Sequence, residues 1–351
     1  MGKLAAWQDP RNHRAVRRLA PLSLPPLLAL ALAWTAGAQE RPRTPIFQTE
    51  RGGPRLRVAA VAETGVLPKS VEVSPDGAHV VVCNFGRPDS ENVWVYDADS
   101  LERVGTVSFP GNAVESAFSE DGRTLFVSNF RRHVVEEIDF ATLRVRREIE
   151  VGSHPKTVVV DGRTLYVANY FDHSVSVVDL DEGREVRRLT TGERPRGMGL
   201  LADGTLLTAA FSDDLIHVFA GGQERGRLEV CRYPRDILPS PDRHTFFVTC
   251  SLGHIGFYRP EDHGRPFGIA STGRNPRSID VSADGRWIGV ANFGSSDVSL
   301  IDTAQHTHRR HEVPGANRLV GLAMHPGPGL RVYTTSWDTG ELFMLTGEIP
   351  E

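Results

Sequence analysis

The sequence predicts an all-β protein, a seven-bladed β-propeller with four-stranded antiparallel blades. Three observations carry this. A unit recurs seven times, anchored at Asp76, Asp121, Asp161, Asp203, Asp242, Asp284 and Pro326, with spacings of 45, 40, 42, 39, 42 and 42 residues. Each anchor lies in a turn of Asp-Gly type or its equivalent, from SPDG at 74–77 to HPGPG at 325–329. Around each turn lie short β-type runs, and a period near 42 residues with four such runs is the signature of a propeller blade.

The chain has 351 residues, enough for one large all-β domain. Residues 1–20 hold Lys3, Arg11, Arg14, Arg17 and Arg18 against one Asp9. The apolar run 22–34 follows, too short to span a bilayer comfortably, and then Ala36-Gly37-Ala38. This pattern predicts a signal peptide over 1–38, a mature chain beginning near Gln39, and a periplasmic or secreted location. An uncut N-terminal anchor is the alternative; after cleavage no membrane span is expected. Residues 39–55, rich in Pro, Gly and charge, are expected to be a linker. The propeller is expected over 56–347.

The formal charge of -4 becomes about -8 once 1–38 is removed, which argues against nucleic acid as a general partner. Three cysteines, Cys83, Cys231 and Cys250, exclude a disulfide-rich scaffold but allow one bridge. Cys83 and Cys250 lie in apolar strands, where packing is their simplest role.

The third unit shows the strand order: PKTVVV, TLYVAN, SVSVVDL and EVRRLTTG. The glycine of the Asp-Gly turn supplies a positive φ between the first two strands. Apolar residues of both parities fit sheets buried on both faces. The last unit ends at LFMLTGE with only three strands, whereas LRVAAVAETG at 56–65 precedes the first unit. This extra strand is expected to complete the last blade beside Glu341–Leu345, closing the ring and removing a sheet edge.

The segments PKTVVVDGRTLYVANYFDHSVSVVDL and PRSIDVSADGRWIGVANFGSSDVSLID resemble the YVTN-repeat propeller family over about residues 56–347. The likeness is strong in units one, two, three and six. Units four, five and seven depart at the Asn, with AAF, TCS and TSW. The resemblance implies the fold and an exported protein. It does not imply one role, since similar propellers include surface-layer proteins, nitrite-reductase propellers and lactonase-like or lyase-like enzymes.

Candidate site residues cluster at the face where the chain leads into the innermost strands. Lys69, Lys156, Arg196, Arg235 and Arg277 follow a proline in five units. Such a repeated cation forms a partial ring that attracts a carboxylate, a phosphate or an acidic segment, or else ties neighbouring blades together. Asn84, Asn129, Asn169 and Asn292 either hold the bend after the second strand or present amides to a ligand. Phe85, Phe130, Tyr170 and Phe293 follow them and suit packing between blades. His133, His173 and His254 lie four residues past the Asn or its equivalent. His133, His154 and His173 could hold a divalent metal ion or form an acid–base pair. Glu72 and Glu115 could face the channel. No CxxCH, GxSxG or phosphate-cradling glycine loop is present in the sequence, so no cofactor is expected, a metal ion being the alternative. The leading expectation is an exported, non-catalytic propeller that binds a small anionic ligand or a protein partner. The alternative is a metal-dependent hydrolase or lyase of lactonase type with its site at the same mouth. The ligand and oligomeric state are not legible.

Overall fold

The computed structural model describes residues 44–50, 53–86, 88 and 90–347. The expected signal peptide lies outside them. Seven antiparallel sheets follow one another around a central channel. Their innermost strands are Pro68–Val73, Ala113–Phe118, Pro155–Asp161, Pro195–Leu200, Pro234–Pro239, Pro276–Val281 and Leu319–Met324. The first six blades then run outward in sequence order, and the seventh takes its outermost strand from the N-terminal side of the ring. The only helix among the described residues is a 3-10 turn at Pro260–Asp262, so no described helix is long and apolar enough to cross a membrane.

Packing explains the apolar residues on both strand faces. The buried side chains fall into seven clusters, one for each blade–blade interface. Phe126, Val135 and Ile149 of blade two, for example, meet Val158, Leu165 and Val178 of blade three. The seventh such cluster joins Val80, Val82 and Tyr96 of blade one to Tyr333, Leu342 and Met344 of blade seven. Burial of each such side chain contributes about 1.5–3 kcal/mol, and because the ring is closed no blade lacks a neighbour.

Ring closure follows the strand deficit. Leu56–Glu63 is the outermost strand of blade seven, antiparallel to Glu341–Gly347, from Leu56 opposite Gly347 to Glu63 opposite Glu341. Tyr333 Oη donates to the Ala98 carbonyl (2.8 Å), and Tyr96 Oη donates to the Glu63 carbonyl (2.7 Å). Both bonds cross the seam between the last blade and the first.

Part of the expected linker lies on the ring. Phe47 is buried and stacks on Phe257 at 4.6 Å. Gln48–Thr49 pairs in parallel with Thr307 and His308 on the edge of blade six. The composition of 39–55 hides this, because one Ile-Phe pair within a polar stretch is enough to dock a short strap.

The Asp-Gly turns close as expected. In blade one, Asp76 Oδ1 accepts from Ser74 Oγ (2.5 Å) and from the Ala78 N–H (3.0 Å), and Gly77 takes φ +74°. Ser119/Asp121, Ser240/Asp242 and Ser282/Asp284 repeat the arrangement.

Candidate functional site

All seven innermost strands carry a register irregularity in their first residues. Such a bulge re-aims a side chain, and the re-aimed positions include those after the proline. Lys69, Arg196, Arg235 and Arg277 line a cavity of 440 Å³ in the channel. Lys156 does not line it: its ammonium lies 5.5 Å from the Phe130 ring centre and 4.6 Å from that of Tyr170.

The aromatic residues sort these cations. Arg196 lies between Tyr170 (5.6 Å) and Phe211 (5.2 Å). Arg235 shares Phe211 at 5.2 Å, and Arg277 lies 3.4 Å from the Phe293 centre. Phe85 packs edge-on to Phe130 at 5.7 Å and lies 6.2 Å from Trp337. The residue after the Asn position is thus aromatic in six blades: Phe85, Phe130, Tyr170, Phe211, Phe293 and Trp337. They form a collar at the mouth, packing between blades and offering faces to the cations. Phe211 and Trp337 escaped the sequence reading because their units lack the Asn, although AAF and TSW keep the aromatic in register.

Among the described residues, none of the five cations forms an ion pair with a carboxylate. Nε of Arg277 is buried without a hydrogen-bond partner. Burial pushes the Lys69 ammonium down to about 7, and Arg196, Arg277 and Arg235 add repulsion that outnumbers the single favourable neighbour, Glu115. Burial lowers Lys156 and the three guanidinium groups as well. Guanidinium groups keep their charge in proteins, so the mouth holds positive charge that no ion pair neutralises, with Glu115 and Asp236 as its nearest favourable carboxylates.

The acidic groups lie beneath and serve mainly to join blades. Glu115 of blade two accepts from Thr157 Oγ1 of blade three (2.6 Å), and Asp280 of blade six accepts from the Met324 N–H of blade seven (2.7 Å). Burial raises Glu72 to about 8, Asp236 to about 7 and Asp280 to about 6. Asp236 and Asp280 were missed as channel residues, though both stand in the strand openings, YPRD at 233–236 and PRSID at 276–280. The sequence reading left open whether the basic residues were the ties between blades. The carboxylates take part of that role, and Lys156, Arg196 and Arg235 share it by lying on an aromatic ring of the preceding blade.

The asparagines are corrected to a structural role. Asn84, Asn129, Asn169 and Asn292 are fully buried and are not among the residues that line the cavity. Asn169 Nδ2 donates to Ser174 Oγ (3.0 Å) and Ser176 Oγ (2.9 Å), and Asn292 makes the equivalent bonds to Asp297 and Ser299. Asn129 bonds to the Pro110 carbonyl and Glu136. Each touches the glycine of the segment leading into its own blade. A Cβ on Gly65, Gly111, Gly152 or Gly273 would approach the Asn side chain to 2.6, 2.0, 2.5 or 2.7 Å. That close approach explains the recurrent TG and VG. Three blades change this clasp. In blade seven Ser336 stands at the Asn position, and its Oγ accepts from the Asn317 N–H at 2.9 Å. In blade four the Asn is Ala210, and His217 Nε2 accepts from the Gly192 N–H at 2.9 Å instead. In blade five Cys231 and Cys250 occupy the Gly and Asn positions and form a disulfide. Cys250 therefore does more than pack, while Cys83 stays free and buried. Replacing Asn169 by Ala should cost about 1–3 kcal/mol in urea unfolding, the cost of orphaning buried polar partners, and should leave anion affinity unchanged. A binding defect without a stability loss would contradict this placement.

The histidines do not assemble as a metal set. His133 and His154 meet with ring centres 4.7 Å apart, but His173 Nδ1 accepts from the Arg194 N–H (3.1 Å) at the next blade. His133 and His173 take φ +61° and +52° in the turn after the second strand, where blades five and seven have Gly253 and Gly340. His254 belongs to the third strand of blade five. Among the described residues, Cys231, Cys250 and His254 are the one group of three metal-type ligands brought together, and two of these are joined in the disulfide.

No protein-family model matches the chain, and no curated protein matches it. Among solved structures the chain is similar to a Kuenenia stuttgartiensis hydrazine synthase chain, with a TM-score of 0.71 and 18% identity, covering 82% of this chain and 98% of that one. At that identity the similarity shows the fold. The resemblance to YVTN repeats therefore stands as a seven-bladed propeller.

Proposed function

We propose that the protein is an exported binding propeller that takes a small anion, of carboxylate type, at the central mouth. One observation carries the reading: Lys69, Arg196, Arg235 and Arg277 line a single 440 Å³ cavity, and none is neutralised by an ion pair among the described residues. Planar guanidinium groups suit carboxylates through paired hydrogen bonds. The acidic layer beneath disfavours a second negative charge deeper in the channel, so the ligand has one anionic end and a neutral remainder. Export is supported by the basic-apolar N-terminal sequence, by the YVTN-like repeats and by the Cys231–Cys250 bridge, since disulfides persist in oxidising compartments.

The expected pH dependence has a definite sign. A bound anion favours the Lys69 ammonium, which loses its proton near pH 7. Glu72 and Asp236 gain negative charge at about 8 and about 7. Both changes oppose an anion as pH rises. Affinity for lactate, measured by calorimetry, should fall about tenfold or more from about pH 6 to about pH 8, since one pKa unit is about 1.4 kcal/mol. An affinity that is flat or that rises over this interval would contradict the proposal.

A further inference from the structure

Lysine is used sparingly in this chain. Of 40 basic residues, 37 are arginine, and the three lysines are Lys3, Lys69 and Lys156. Both lysines of the propeller occupy the mouth position, where arginine serves in three other blades. Their surroundings differ. Lys156 is held between two aromatic rings. The Lys69 ammonium makes no hydrogen bond, ion pair or ring contact among the described residues, and Lys69 lines the cavity together with Arg196, Arg235, Arg277, Glu72 and Glu115. An amine desolvated beside other cations is an activated nucleophile. If only charge were needed, arginine would supply it; lysine alone can also give up its proton.

We propose that Lys69 is a Schiff-base lysine and that the anion at the mouth is a 2-oxo acid. This rests on the anion-binding reading and deepens it by naming the ligand class. The carboxylate lies on the guanidinium groups of Arg196, Arg235 and Arg277, and the adjacent carbonyl carbon faces the Lys69 amine. Nζ adds to that carbon, and one amine proton passes to the carbonyl oxygen, giving a carbinolamine. The hydroxyl then takes a proton from the Glu72 carboxyl group and leaves as water. The product is an iminium carrying one N–H, with the Glu72 carboxylate nearby to offset its charge. No oxidant or reductant is required. Glu72 is suited to the acid role because burial keeps its carboxyl group protonated up to about pH 8.

The test is reductive trapping of the full chain with pyruvate and cyanoborohydride, read by intact mass and peptide mapping. Calorimetry with pyruvate and with lactate, its carbonyl-free counterpart, runs in parallel. The expected adduct adds one pyruvate less one oxygen and maps to Lys69. Labelling should fall at least tenfold in Lys69→Arg and stay unchanged in Lys156→Arg, which also retains lactate binding. Mapping on the unaltered chain decides the site even if a variant folds poorly. Equal binding of pyruvate and lactate without an adduct at Lys69 would overturn the imine and leave the anion site standing. Labelling of Lys156 to the same extent as Lys69 would also overturn the assignment. Failure of both ligands to bind, with no labelling, would remove both readings together.

Discussion

Deleting residues 56–63 should lower the melting temperature by at least about 10 °C and turn the protein into an associating species. The strand pairs along the whole of Glu341–Gly347. Its loss uncovers the backbone edge of a strand that carries Leu342, Phe343, Met344 and Leu345, all buried in the intact ring. It also removes Leu56 from the cluster between blades six and seven, and it removes Ala60 and Ala62 from the cluster at the seam. Several kcal/mol are lost, and each corresponds to about 2–4 °C in a domain of this size class. An open edge of apolar residues is also a template for pairing with another chain. Light scattering with thermal melts checks both parts. An unchanged melting temperature and a monomeric variant would contradict the closed ring.

Replacing Cys231 and Cys250 by Ser should cost about 3 kcal/mol in urea unfolding, as expected for a bridge closing a loop of about 20 residues. The bridge stands where other blades use a Gly–Asn contact. The double change Cys231→Gly with Cys250→Asn should therefore recover part of the loss by rebuilding the clasp of its neighbours. Recovery no better than the Ser pair would show that blade five is not equivalent to the rest at this position.

Much of the fold was legible because it depends on repetition. The Asp-Gly turns and their spacing mark the hairpins, and the three-strand deficit at LFMLTGE announces the partner at Leu56. The strap at Phe47 was not legible, since a single buried aromatic leaves no period to read. At the site, the proline-plus-cation pattern located the mouth, but it treated five residues as equal. Only packing distinguishes Lys156, held between Phe130 and Tyr170, from Lys69, which lies open to the cavity. The asparagines were left between two roles for a related reason. A residue repeated beside the mouth looks like a ring of ligands, but the glycine opposite each Asn draws it into the blade. The disulfide was open in the sequence because three cysteines allow three pairings. It becomes intelligible once the Gly and Asn positions are seen to touch.

The central claim is that the cations at the mouth, none of them held in an ion pair, bind an anion. The most direct measurement is a calorimetric titration of lactate into the intact chain and into the Arg235→Gln, Arg277→Gln double variant, at about pH 6 and low salt. Each charge-assisted hydrogen bond contributes about 1.5–3 kcal/mol, so the variant should bind at least about 100-fold more weakly while melting within a few degrees of the intact chain. Equal affinity in the two proteins, or no binding to the intact chain, would contradict the account.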